Sequence, residues 1–244
     1  MKKLIFSFIL LLSTGLIFAQ VSFGPKVGFN MSKYGYQYSD DLEYLEPNSN
    51  FKLGGTIGGM MNLQIVDFLA FQPSLMIAKK GTGLDVADLY SGEAVVEGYY
   101  RVRVTYLEVP LNLALGLKLG TFRFQVFAGP YLAYAIAGKH KWDYELNEAG
   151  IRTDVKGEEK INFTSEISEE NQEKERYQQR PFDMGVNFGV GYKVNKVLLN
   201  LGFAMGLTNL RPEMKVDGNA NAAKDLKYAN RTIFLSAAWL FGED

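Results

Sequence analysis

The 244-residue chain has no cysteine, a single histidine and, after its first nineteen residues, no long apolar run. Lack of cysteine excludes a structural disulfide, a thiolate zinc site and a lipid-modified N-terminal cysteine. One histidine, His140, among scattered carboxylates provides no metal-ligand spacing. Asp40-Asp41 and Glu158-Glu159 read as solvated loop charges rather than a calcium site. A formal net charge of −1 removes any polycationic case for nucleic acid. The glycines alternate along apolar segments and form no phosphate-binding pattern. No segment past residue 19 approaches the roughly 18 consecutive apolar residues of a membrane helix. No cofactor and no small-molecule substrate are implied.

What is present begins with an export pattern. Lys2 and Lys3 precede the apolar run Leu4 to Leu12, and Ile17-Phe18-Ala19 precedes Gln20. This predicts a signal peptide over residues 1–19, cleaved near Ala19-Gln20, and one mature domain over 20–244. That length suffices for one barrel or sandwich with a sizeable buried face.

The mature chain alternates. From Phe182 to Val194 the even positions are Phe, Met, Val, Phe, Val, Tyr and Val, and the odd ones Asp, Gly, Asn, Gly, Gly and Lys. Period-two alternation places the two sets on opposite faces of a strand. Thirteen residues is about twice the usual soluble strand of roughly 5–6, and suits a tilted transmembrane strand of about 9–11 plus overhang. A small barrel cannot hold seven large side chains per strand inside. The large face therefore points to lipid and the small, polar face to the lumen. One strand alone also fits a soluble β-sandwich, so repetition decides.

It recurs in Val21 to Ser32, Phe51 to Ile65, Phe68 to Lys80, Tyr99 to Leu117, Phe122 to Ala137, Val197 to Thr208 and Tyr228 to Phe241. In Phe68 to Lys80, Pro73 loses a ladder hydrogen bond and predicts a bulge. In Tyr99 to Leu117 the outward set changes from Val102, Val104 and Tyr106 to Leu107, Val109 and Leu111, which predicts a bulge at Tyr106-Leu107. Eight segments are joined by three tight turns alternating with four long polar connections. The expectation is an all-β, eight-stranded antiparallel up-and-down transmembrane barrel, with short periplasmic turns and long extracellular loops. Phe23, Phe71, Phe122, Tyr192 and Phe241 would form the interfacial girdle at the short-turn rim.

Several segments resemble the PorT-like outer-membrane β-barrel proteins of the Bacteroidota. They are Lys26-Val27-Gly28-Phe29-Asn30, FQPSLMIAKKG at 71–81, YLEVPLNL at 106–113, Ala128-Gly129-Pro130-Tyr131 and Gly206-Leu207-Thr208-Asn209. The resemblance spans residues 21–241. It implies an integral outer-membrane location and, from the family's namesake, an association with type IX secretion and gliding.

Charges on the lumen side of the pattern are Lys26, Lys52, Lys80, Arg101, Arg103, Glu108, Arg123, Asp183, Lys193 and Arg231. Buried charges need partners, so Glu108 and Asp183 are expected to pair with Arg123, Arg101, Lys26 or Arg231 and to plug the lumen. A narrow small-solute channel is the alternative. The connection 139–180 carries eight Lys/Arg and eleven Asp/Glu, as a solvated excursion would. Trp142, Tyr144, Ile161 and Phe163 in it are candidate anchors for an envelope protein partner, or an extension of the barrel wall. An outer-membrane lipid hydrolase or acyltransferase would need His140 beside an acid and a serine, such as Glu145, Ser165 or Ser168. No motif predicts that contact, so the expectation is a non-enzymatic barrel surrounded by outer-membrane lipid.

Overall fold

A computed structural model describes residues 20–38, 49–85, 95–119, 122–148, 151–167, 177–214 and 226–242. The expected signal peptide, Asp40-Asp41 and Ser168 lie outside the described residues.

Alternation becomes strands wherever the pattern runs: β1 (Gln20–Tyr38), β2 (Ser49–Val66), β3 (Leu69–Asp85), β4 (Val95–Leu119), β5 (Phe122–Glu148), β6 (Ile151–Lys160), β10 (Phe182–Val194), β11 (Val197–Gly206) and β13 (Leu226–Trp239). Between them lie the two-residue strands β7 (Asn162–Phe163), β8 (Glu166–Ile167), β9 (Gln178–Gln179) and β12 (Glu213–Met214). The sheet runs β10-β11-β13-β1-β2-β3-β4-β5, and β5 pairs back to β10. All its pairings are antiparallel, so eight strands close a ring. Closure satisfies the backbone donors and acceptors that lipid cannot. β6 is a ninth strand, paired among the described residues with the upper part of β5 alone.

Side chains divide as the inversion requires. Phe29, Leu53, Leu75, Phe188 and Leu235 are exposed, while Asn30, Gln72, Asn187, Asn200 and Ser236 are buried. Turns at Asp67-Phe68 and Asn195-Lys196 join β2 to β3 and β10 to β11. Asn195 has φ 51°, a left-handed turn conformation that asparagine tolerates. At this rim Phe23 and Phe241 exchange backbone hydrogen bonds of 3.0 and 2.8 Å. Their rings lie 6.5 Å apart, and Phe124 meets Tyr192 at 4.9 Å, which builds part of the girdle. Next to it inside, Gln72, Gln125, Asn62 and Asn200 join their amides at 2.9–3.2 Å.

Three local expectations are corrected. Pairing passes Pro73 without a register shift; the proline loses a donor, but no residue is inserted. The phase change is not in β4. Thr105 faces Ala137 and Tyr106 faces Ala135, so the extra residue is Ile136 in β5. β4 keeps one phase throughout, and Val102, Val104 and Tyr106 point inward, nearly inaccessible. They are apolar because they pack under a lid, not because they face lipid. The long connections are also shorter than their polarity suggests, since β1, β2, β3 and β4 continue into them.

The lid comes from the two connections flanking β10 and β11. Asn162-Phe163 pairs in parallel with Gln178-Gln179, and Glu166-Ile167 with Glu213-Met214. Ile161 and Leu210 sink into the cluster of Tyr34, Val102, Val104, Tyr106 and Tyr131. Arg180 N–H donates to the Leu210 carbonyl at 2.8 Å, and Leu210 N–H to that of Tyr228 at 2.9 Å.

Phe188 stands outward at mid-strand, 5.6 Å from the Phe203 ring. Phe188→Arg is expected to cost about 2–4 kcal/mol or to block membrane assembly, whereas Asn187→Ser on the lumen face changes little. Urea unfolding of both variants in lipid vesicles checks this.

Candidate functional site

The lumen is organised by a lysine. In β3, Lys80 shares its face with Gln72, Ser74 and Ala78, and only 4% of it is accessible. Its Nζ lies 2.5 Å from Glu108 Oε2 of β4 and 3.9 Å from Asp183 Oδ2 of β10. Asp183 Oδ2 also accepts from Tyr131 Oη at 3.1 Å and Asn230 Nδ2 at 2.8 Å. The ammonium lies over the Tyr131 ring, 4.5 Å from its centroid. Lys26, itself buried, lines the same internal cavity as Lys80 and Glu108. Lys80 is therefore the cation that joins the two carboxylates, and Lys26 stands in the adjoining cavity without an ion pair among the described residues. The charges of Lys80, Glu108 and Asp183 persist at this depth because they are paired.

Above the cluster, polar side chains tie lid to wall. Gln179 Nε2 donates to Tyr106 Oη at 2.8 Å, and Tyr34 Oη donates to Gln179 Oε1 at 2.7 Å. Gln179 is fully buried, so the lid is latched from inside. The arrangement stops the lumen with side chains from opposite walls and covers it with the chain's own connections.

Of the residues expected in the network, Glu108 and Asp183 meet there through Lys80, and Lys26 lines the adjoining cavity. Arg123 faces the lumen only at the periplasmic mouth, beside Lys193. Arg101 and Arg103 lie outside, because β4 never changes phase: they share the face of the exposed Leu107. Arg231 shares the outward phase of Ile233 and Leu235, and its Nη1 donates to the Gly206 carbonyl at 2.7 Å. Lys52 also leaves the lumen, reaching over Gly83, where a Cβ would stand 2.1 Å from its Cε; β2 has a register shift here. The phase of β3 places Lys80 in the lumen from sequence, although Arg123, Arg101, Lys26 and Arg231 were the partners expected for the two carboxylates. Gln179 had no signal, since a polar loop glutamine looks solvated.

Trp142 and Tyr144 lie on the inner face of the β5–β6 hairpin, half-buried. The Trp142 ring covers Gly157, where a Cβ would lie 2.1 Å from it. Ile161 and Phe163 turn into the mouth over Gly138, where a Cβ would stand 2.8 Å from each side chain. These four residues support the wall and the lid rather than forming one exposed anchor patch. His140 is stacked on Tyr100 at 5.5 Å and lies 4.9 Å from the Tyr177 ring. Its Nδ1 is 3.4 Å from Glu159 Oε1. Burial lowers its pKa below the usual histidine value, and the Glu159 contact opposes that shift. Among the described residues no serine hydroxyl contacts this imidazole.

Eight closed strands, an apolar exterior and a plugged polar interior define an integral β-barrel membrane protein. The profile of the family described as "Outer membrane protein beta-barrel domain" matches residues 18–211, and the chain belongs to that family: it is an integral protein of the bacterial outer membrane. Two solved structures are similar over nearly their whole length. One is Ail, the attachment invasion locus protein of Yersinia pestis, with 9% identity, 91% of this chain and 99% of that one covered, and a TM-score of 0.38. The other is Neisserial surface protein A, with 10% identity, coverages of 90% and 97%, and a TM-score of 0.37. No curated protein matches the chain.

Removing Glu108 would leave Lys80 with Asp183 alone, 3.9 Å away. Glu108→Ala is expected to destabilise the barrel by roughly 3–5 kcal/mol, the scale of a broken buried pair. Chemical unfolding in micelles, followed by tryptophan fluorescence, measures the loss.

Proposed function

We propose that this protein is a non-enzymatic, sealed outer-membrane barrel that serves as a structural or partner-binding platform. The observation that carries the reading is the bridge from Glu108 through Lys80 to Asp183, which spans the lumen beneath a latched lid. A solute path would have to break buried charge pairs and displace Gln179. The His140 contacts favour a packing role over an esterase relay, which needs a serine, a histidine and an acid in hydrogen-bond contact. The proposed pathway to the membrane is export by the residue 1–19 signal peptide with cleavage near Ala19-Gln20. The segments at 71–81 and 106–113 support a place in the PorT-like branch of the Bacteroidota, and with it membership of a larger envelope or secretion assembly.

The partner surface we propose is the outer edge of β6, which among the described residues pairs only with β5. An edge strand offers unpaired backbone groups to a partner strand. The charges of Ile151–Lys160, including Arg152, Asp154, Lys156 and Glu159, guard that edge against indiscriminate pairing.

Planar-bilayer recording of the purified protein is expected to show no steady conductance; stable open channels would overturn the sealed-barrel reading. Deleting residues 147–160 is expected to release a stoichiometric companion that co-purifies from native outer membranes in mild detergent. If the companion is retained without the hairpin, docking lies elsewhere on the barrel.

A further inference from the structure

The outer wall above the lipid-facing band carries a block of cations that the lumen does not use. Antiparallel register aligns Gly81, Arg103, Lys139 and Lys160 across β3, β4, β5 and β6. The next row outward holds Gly83, Arg101, Lys141 and Glu158, and the row beneath holds Lys79 beside Thr105. Like charges placed directly opposite on a sheet repel, and here three stand in one row. Glu158 is the single carboxylate in the block, shared by Lys139 at 2.5 Å and Lys141. Among the described residues, Lys79, Arg101, Arg103 and Lys160 have no carboxylate partner. Arg101 lies over the Tyr99 ring, 5.1 Å from its centroid, and its Nε is buried without a hydrogen-bond acceptor. The block therefore holds more cations than its one carboxylate can pair.

Its height suggests what supplies further anions. Below Lys79 and Thr105, the adjoining row is Ile77, Leu107 and Tyr134, all exposed on the same outer face. Gly81 lies twelve residues above Leu69 at the periplasmic turn, about 30 Å along the axis for a strand tilted by roughly 40°. The apolar band of such barrels is about 25 Å tall, so the cations stand where outer-leaflet headgroups begin. An amphiphile with acyl chains against Ile77 and Leu107 would bring its anionic head to Arg103 and Lys139. Phosphate fits best, because guanidinium and ammonium groups bind it by charge-assisted hydrogen bonds.

We propose that this face binds the phosphate groups of a phosphorylated, acylated glycolipid of the outer leaflet. The site has two parts: the apolar row holds the chains and the cationic rows hold the phosphates. Bound phosphate relieves the like-charge ladder of Arg103, Lys139 and Lys160, and so fixes β6 against β5 at the membrane surface.

The test uses the full-length mature protein in zwitterionic micelles, titrated with diphosphorylated lipid A and with the same lipid dephosphorylated, and read by native mass spectrometry. At least one diphosphorylated lipid per barrel is expected to be retained. Removing its phosphates, or introducing R103Q together with K139Q, should weaken binding about tenfold or more, and added salt should weaken it further. K196Q, at the periplasmic turn, should bind like the parent. Equal retention of both lipids, or unchanged binding by the double variant, overturns the proposal and leaves the cations to an acidic protein partner. Heat-modified gel mobility reports folding of each variant. Should the double variant not fold, the two-lipid comparison on the unmodified protein decides alone.

Discussion

In hydrocarbon a backbone N–H or C=O has no water to fall back on, and every other feature of this protein follows from satisfying those groups. An open sheet would leave two edges unpaired in lipid. The chain avoids this by returning β13 to β1 and by pairing β5 with β10 across the long connection between them. Closure at eight strands then sets the interior. The space inside is just wide enough for side chains, so large residues go outward and glycine, serine and asparagine go inward.

A narrow polar lumen penalises isolated charges. Lys80, Glu108 and Asp183 meet because each would be costly alone. Tyr131 and Asn230 both donate to Asp183 Oδ2. The same economy governs the lid, where Gln179 uses both ends of its amide to join Tyr34 and Tyr106. The barrel interior is thereby filled by side chains and covered by the lid, with the β5–β6 hairpin standing above it.

Much of this was legible in the sequence where the rule is local. Phe29 faces lipid and Asn30 the lumen because neighbouring side chains on a strand must diverge. The turn at Asn195-Lys196 was readable because two residues leave no other geometry, and the β2–β3 turn lies one residue past the Val66-Asp67 expected. Residue type misled where its meaning depends on depth. Val102, Val104 and Tyr106 look lipid-facing, yet the lid makes the upper lumen apolar, so the same residues are core. Arg101 and Arg103 were misplaced with them. Ile161 looked like a surface anchor because its neighbours are charged, and only the fold-back of the lid buries it.

Taken alone, the sequence determined the strand class, the inside-out polarity, the number of wall strands and the side on which the tight turns lie. Each of these depends on spacing along one chain, which alternation and turn chemistry report directly. Tertiary structure decided that the extra residue sits in β5 rather than β4, that Lys80 rather than an arginine joins the two carboxylates, and that a cationic face stands above the lipid band. Register and burial are relations between strands. A period of two describes the two faces of a strand, but the neighbours across the ladder and across the lumen establish what each face meets.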